Sequence, residues 1–325
     1  MAQVPVATGE TVDTSKLGTT LMHEHVFVRT PDMAWDWDVG WGDTETRVAD
    51  AIKRLEELKD AGVDTIVDLT VPGNGRDVPM VKRIAEQTRL NIVMATGWYT
   101  YEALPPSFHY RSLLGGGTAE VLTELFVRDV EEGVADTGVR AGILKCATDE
   151  KGLTPDVEAI LRAVARTHRR TGVPISTHTH AGTRNGLVQQ DVFEEEGVDL
   201  SRVVIGHSGD TTDLGYLEEL IGRGSFIGMD RFGTGAVVTF DERADTVAGM
   251  CERGRAERMV LSHDASCYID WFDEEMLKQV APQWHYRHIT EDVVPALKER
   301  GVTDEQITTM LVDNPRRIFE ATGGY

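Results

Sequence analysis

The sequence predicts an α/β fold, a closed (β/α)8 barrel in which parallel strands are ringed by helices. Three observations carry this. Short β-rich runs recur at residues 20–28, 63–70, 91–97, 141–147, 173–179, 202–207, 225–230 and 258–264, which makes eight candidate strands. Amphipathic stretches lie between them, at 44–61, 156–171, 213–223 and 241–253 among others, several opening on an acidic or hydroxyl residue suited to cap a helix. Glycines precede several strands, as in Ala61-Gly62-Val63, Thr171-Gly172-Val173 and Arg223-Gly224-Ser225, where a left-handed residue ends the helix before. Strand then helix, repeated, means parallel pairing, and the count favours closure. An open doubly wound sheet is the alternative, but no G-x-G-x-x-G follows an early strand to mark a dinucleotide site.

A chain of 325 residues is long for one domain, yet barrels of this kind run to that size, and one domain over 1–325 is expected. No linker rich in Pro, Gly or Ser divides it, and Gly115-Gly116-Gly117 reads as a loop. Beyond Asp264 comes a long insertion, with residues 267–283 expected as a loop before final helices at 289–300 and 304–312. Loops of that length usually carry function.

Hydrophobic residues make up 41% and charged residues 27%, the balance of a folded globular protein. The formal charge of −21, from 54 acidic against 33 basic side chains, disfavours phosphate backbones and anionic lipid, so neither nucleic acid nor membrane is an expected partner. Cys146, Cys251 and Cys267 are odd in number and form no C-x-x-C pair, which points away from disulfides and thiolate zinc sites and toward a reducing compartment. Residues 1–16 lack a basic segment followed by an apolar run, and no stretch approaches 18 apolar residues. A cytoplasmic enzyme is the expectation.

The strongest local signal is His23-Glu24-His25. Residues i and i+2 of a strand share a face, so both imidazoles enter the lumen together or both lie at an exposed sheet edge. On an inward strand they make half a metal site. Other candidate strands end on Ser176-Thr177-His178-Thr179-His180, Ile205-Gly206-His207-Ser208-Gly209-Asp210 and Leu261-Ser262-His263-Asp264. In a barrel these ends surround one mouth, where polar residues read as functional. Singly, His178 or His207 can cap a helix and Asp264 can be a loop acid; together they suggest a ligand set. Lys145 ends the fourth run at the same level. An ammonium beside metal cations is electrostatically unfavourable, so Lys145 either faces away or is chemically altered, as carboxylation to a carbamate would do.

These pieces resemble the phosphotriesterase family of the amidohydrolase superfamily, over roughly residues 17–319. The matches are His23-Glu24-His25, Lys145, His178 in Ser-Thr-His-Thr, His207 in Ile-Gly-His-Ser-Gly-Asp-Thr, and Asp264 in Leu-Ser-His-Asp. The resemblance implies a binuclear metal centre at the C-terminal mouth. One metal would be held by His23, His25 and Asp264, the other by His178 and His207, with N6-carboxylated Lys145 and a hydroxide bridging them. Zinc is the first expectation; cobalt, manganese and iron are alternatives. The resemblance also implies a homodimer.

Within the family the chain is more similar to the phosphotriesterase-like lactonases. Gly97-Trp98-Tyr99 places a tyrosine where lactonases have one, Gly228-Met229-Asp230-Arg231 has arginine where triesterases typically have histidine, and Cys267-Tyr268-Ile269-Asp270-Trp271 resembles the lactonase loop. His180 departs from the pattern. The implied reaction is hydrolysis of lactones, N-acyl homoserine lactones or simple γ- and δ-lactones, with phosphotriesterase activity as a side reaction. A phosphotriesterase or another amidohydrolase is the alternative, and a non-catalytic metal barrel is the rival of a different class. Asp264 is the candidate proton carrier, with Tyr99 and Arg231 beside it. Asp210 either takes up that proton, orients a ligand imidazole or caps a helix. Tyr99 either donates to the lactone or only packs. Trp98, Tyr101, Arg231, Phe232, Trp271 and Phe272, with Tyr99, are the candidate walls for substrate.

Overall fold

The computed structural model, which describes residues 2–37, 39–113, 115–320 and 323–325, curls nine strands into one parallel sheet behind a small N-terminal hairpin. The hairpin pairs β1 (Gln3–Pro5) with β2 (Thr11–Asp13) and has no counterpart in the sequence reading. The sheet runs through β3 (Thr20–Val28), β4 (Thr65–Asp68), β5 (Asn91–Gly97), β6 (Ile143–Ala147), β7 (Ile175–His178), β8 (Val203–Ile205), β9 (Phe226–Met229) and β10 (Met259–Leu261), and ends on β11 (Ser266–Ile269). Neighbours pair in sequence from β3 to β10, and β11 returns to β3 through Ser266↔His25 and Tyr268↔Phe27. β10 and β11 are thus two halves of the eighth barrel strand, broken at residues 262–265. Across the break the Asp264 amide donates to the His23 carbonyl (3.0 Å) and the His25 amide to the Ala265 carbonyl (2.9 Å), which closes the barrel.

The helices form the outer layer, and local chemistry sets their ends. Asp43 accepts from the Thr46 amide to start Thr44–Asp60, which turns Val48, Ala51, Leu55 and Leu58 inward at three- and four-residue spacing. Thr154 caps Pro155–Thr171, and Gly172 at φ 77° ends it, its amide on the His168 carbonyl at 2.7 Å. Thr239 and Glu242 cap Phe240–Glu252 reciprocally. The two C-terminal helices each contain a widened π turn, Ile289–Val293 before Val294–Glu299 and Thr309–Asp313 before Asn314–Glu320. Pro295 and Pro315 follow these turns, and a proline removes an amide and crowds the carbonyl one turn earlier. The last helix therefore runs past residue 312, to Glu320.

The expected loop at 267–283 is corrected: it contains β11 and a helix, Glu274–Val280, whose start is capped by Asp273 accepting from the Met276 amide. Its strand half was hidden because the break at 262–265 interrupts the alternation that would have revealed it. Among the described residues, no helix is long and apolar enough to cross a membrane.

Two apolar layers result. One lies between sheet and helices; the other fills the lumen with Met22, Val67, Leu69, Val93, Ala95 and Ile143, closed below by Val4, Val6 and Phe319. The lumen becomes polar at the C-terminal ends of the strands. On β3 the change needs a register shift between Leu21 and Glu24, because Met22 belongs to the apolar lumen and His23 to the polar layer above it. Gly97 at φ 142° lets β5 pass the Lys145 backbone so closely that a Cβ there would collide with the Lys145 carbonyl. Gly97→Ala is accordingly expected to cost more than about 2 kcal/mol, whereas Gly62→Ala, at φ 93° with open space around it, costs about 1 kcal/mol of backbone strain alone. Denaturant midpoints of the two variants check the ranking; equal losses would contradict the crowding at Lys145.

Candidate metal centre

His23 and His25 enter the lumen from β3, Lys145 from β6 and His178 from the end of β7; His207 lies two residues past β8 and Asp264 three past β10. All six expected ligands line one cavity and are brought together. His207 and Asp264 are held at φ 57° and 58°, the left-handed region that non-glycine residues rarely adopt. That geometry costs about 1 kcal/mol or more each and persists where function fixes a side chain. The His23 and His207 rings stack with centroids 4.6 Å apart, and His178 meets His207 edge-on at 4.5 Å.

Outer partners decide which ring nitrogens face inward. Asp230, buried between two strands, bonds His23 Nδ1 through Oδ2 (2.8 Å) and His207 Nδ1 through Oδ1 (3.0 Å), and also accepts from the His207 amide (2.8 Å). Burial raises its pKa, but His207 and His23 outweigh that and hold it well below the carboxylate range. An ionised carboxylate only accepts, so both Nδ1 atoms carry protons and both Nε2 atoms present lone pairs. Asp149 does the same for His178, accepting from Nε2 at 2.8 Å and leaving Nδ1 free to face the cavity. The His178 hydrogen bond is the chief reason Asp149 falls to about 2, and burial pushes His178 itself down to about 4. Thr70 bonds His25 Nδ1 at 2.8 Å.

His23 Nε2 and His207 Nε2 then face the Asp264 carboxylate as electron-pair donors. His23 Nε2 lies 3.5 Å from Asp264 Oδ1 and His207 Nε2 lies 3.7 Å from Asp264 Oδ2. Lone pairs repel at such range unless a cation sits among them, so the residues fit a metal. His25 Nε2 adds a contact of 3.0 Å to Asp264 Oδ1. Lys145, 1% exposed, points into the same array with Nζ 2.8 Å from His23 Nε2, so it does not face away. Burial, against the pull of Asp264 and Asp230, brings its amine down to about 8.

Arg231 contacts this array from one side. Its Nε donates to Asp264 Oδ2 (3.0 Å) and its Nη1 to Asp210 Oδ2 (2.9 Å), and Arg243, 1% exposed, holds the other Asp210 oxygen at 2.8 Å. Asp210 therefore neither touches an imidazole nor caps a helix, since Asp213 caps Leu214–Gly222. The Tyr99 hydroxyl stands 3.5 Å from His178 Nδ1 and touches the Tyr101 hydroxyl. Above them opens a cavity of about 630 Å³, walled by Val237, Ile269, Trp271, Phe272, Leu277 and Val280.

Two expected wall residues are corrected. Trp98 packs edge-on against Phe108 (4.8 Å) and faces a different hollow, beside Pro72 and Val134. Phe232 is fully buried beneath Arg243 and Phe240. Neither lines the cavity, because each falls on the outward side of its strand end. His180 also lies outside it, bonded to Thr183 at 3.1 Å. Sequence reasoning missed Asp230, Asp149 and Thr70. The signal that found Asp264, a carboxylate at a strand's C-terminal end, applies equally to Asp230 after β9 and Asp149 after β6. Asp230→Asn keeps the shape but turns a donor toward one imidazole, and is expected to weaken divalent-cation affinity by roughly 10- to 100-fold. Competition against a fluorescent chelator measures this; unchanged affinity would show that the carboxylate only packs.

Comparison with known proteins agrees with this architecture. The model of the phosphotriesterase family matches residues 3–319. The chain is 63% identical over 318 residues to the phosphotriesterase homology protein of Mycobacterium tuberculosis, covering 97% of each. It is 36% identical over 319 residues to an aryldialkylphosphatase of Saccharolobus solfataricus, covering 98% of this chain and 99% of that one. A solved structure of the phosphotriesterase from Mycobacterium tuberculosis superposes with a TM-score of 0.97 at 61% identity, covering 99% and 100% of the two chains. Fold, site and similarity agree: the chain belongs to the phosphotriesterase family.

Proposed function

We propose that the protein is a binuclear metal-dependent lactonase, with N-acyl homoserine lactones or simple γ- and δ-lactones as better substrates than phosphotriesters. The observation that carries the reading is the Tyr99 hydroxyl at 3.5 Å from His178 Nδ1, a donor beside the ligand array and beneath an apolar cavity. Two cations, zinc first and cobalt, manganese or iron as alternatives, would polarise the carbonyl and acidify the attacking water. His23, His25 and Asp264 would hold one, His178 and His207 the other. Lys145 would serve both as a carbamate: its neutral amine, favoured by a pKa near 8, adds to CO2 with loss of a proton to solvent, forming an N–C bond and an anion.

The remaining roles belong to side chains whose positions are described above. Asp264 takes the proton of the attacking water and returns it to the leaving oxygen, while Arg231 on Oδ2 fixes its rotation. Arg231 cannot pass that proton on, because a guanidinium flanked by Asp264 and Asp210 stays charged. Tyr99 donates to the ring oxygen or carbonyl. Burial and the neighbouring Tyr101 hold its pKa well above the usual phenol value, so it remains a donor. Trp271 and Phe272, about half exposed at the rim, accommodate an acyl tail. A cytoplasmic homodimer belongs to the same proposal.

Phosphotriesterase activity is the second reading, favoured by the likeness to an aryldialkylphosphatase. Side-by-side kcat/KM values for a lactone, a phosphotriester and a cyclic amide decide between them; triester turnover above that of every lactone would overturn the lactonase reading. Asp264→Asn is expected to lower kcat by roughly 10²–10⁴ on any of these substrates, and activity within a few-fold of the parent would exclude the proton-carrier role. Tyr99→Phe should cost lactones about 1–3 kcal/mol in kcat/KM and triesters much less. Equal losses on both would assign Tyr99 to packing.

A further inference from the structure

We infer that Glu24 is the positioning residue for Asp264: from the outer face of β3 its carboxylate clamps the break in the eighth barrel strand and fixes the strained backbone that presents Asp264 to the centre. Glu24 is fully buried and points away from the lumen that His23 and His25 enter. Its Oε1 accepts from the Ser262 hydroxyl (3.1 Å), the His263 amide (3.0 Å) and His263 Nδ1 (2.7 Å), and its Oε2 accepts from the Ala265 amide (2.9 Å). The imidazole tautomer is fixed independently, because His263 Nε2 accepts from the Ile289 amide at 2.8 Å and Nδ1 must carry the proton. Ser262 is fixed too: its oxygen accepts from the His23 amide at 2.9 Å, so its hydrogen is free for Glu24.

Four donors from residues 262, 263 and 265 thus converge on one carboxylate. Asp264, the residue between them, is the one whose backbone sits at φ 58°. Elsewhere adjacent strands are joined by a regular backbone ladder; here the Asp264 amide and the Ala265 carbonyl still pair with β3, but out of register, and a side chain of β3 takes the His263 and Ala265 amides. A buried carboxylate is a costly way to close a sheet, since burial of a charge is offset only by a full set of donors. What it supplies is a fixed non-ladder conformation, which ordinary pairing would erase by swinging Asp264 out of the left-handed region. The consecutive residues His23 and Glu24 therefore serve opposite faces of one strand, His23 the centre directly and Glu24 the centre through Asp264.

The role in turnover rests on the reading of Asp264 as proton carrier and ligand; the clamp itself does not. Two readouts on the intact protein separate them. In Glu24→Gln, which keeps the size but faces amide donors with an NH2 group, hydrogen exchange at the His263 and Ala265 amides is expected to rise more than about tenfold while the β4 amides keep their protection. On the best substrate, kcat should fall by roughly 10²-fold, the cost of an ångström-scale misplacement, with KM changed less than about threefold. In an Asp264→Asn background the same substitution should lower kcat by less than about threefold, because the residue it acts through is already gone. Unchanged amide exchange would overturn the clamp. A loss of kcat equal in both backgrounds would overturn action through Asp264 while leaving the clamp in place. Should Glu24→Gln not fold, Glu24→Asp withdraws the carboxylate by one methylene and leaves the Ser262 bond to the His23 amide in place. It is expected to give a kcat loss of about three- to tenfold that likewise vanishes in the Asp264→Asn background; a loss that persists there would overturn the proposal.

Discussion

Imidazoles buried at the mouth of a barrel can offer lone pairs inward only if their other nitrogens find acceptors outward, and the rest of the site depends on that constraint. His23, His178 and His207 are each at most 3% exposed. Unpaired, each would cost a few kcal/mol of desolvation. Asp230 and Asp149 meet the need, and their ionised state makes the direction of every hydrogen bond unambiguous. Asp230 does this for two rings at once, which also sets the 4.6 Å stacking of His23 on His207. The result is a convergent set of electron-pair donors with negative charge behind it, an environment poor for protons and favourable for cations. Lys145 brings a buried amine into the same set, its Nζ 2.8 Å from His23 Nε2.

Backbone geometry carries the second part of the cost. Three departures from regular strand structure coincide with the site: the register shift in β3 below His23, the left-handed His207 after β8, and the break of the eighth strand at Asp264. Each changes which way a side chain points without changing the barrel that holds it. The apolar lumen below and the capped helices outside are regular, and they supply the stability against which such strain is held. The alternating pairs Asp264–Arg231–Asp210–Arg243 extend the order from the mouth to the helix Phe240–Glu252.

Much of this was legible in the sequence, for definite reasons. Parity along a strand placed His23 and His25 on one face, and the rule that barrel strands end at one mouth gathered His178, His207 and Asp264 before any coordinates. Helix starts were found to within a residue because capping is local chemistry. Other features depend on contacts no local pattern encodes. Asp230 and Asp149 look like ordinary acids at strand ends until the imidazoles they hold are seen, and the three roles open to Asp210 stay open because nothing in the sequence shows that Arg231 and Arg243 reach it. Trp98 and Phe232 were read into the wall because aromatic residues near a motif look alike from either side of the strand. The strand and helix within 267–283 escaped because alternation was sought in an unbroken strand, and this one is broken by design at the residue that matters.

In the proposed reading the six side chains at the mouth, Lys145 among them, form one centre for two cations. Anomalous scattering from crystals grown with zinc or cobalt tests this most directly. Two peaks are expected at the mouth, one adjoining His23, His25 and Asp264 and the other adjoining His178 and His207, with density for a carboxylate beyond Lys145 Nζ. A single peak there, or a bare amine at Lys145 beside two occupied sites, would contradict it.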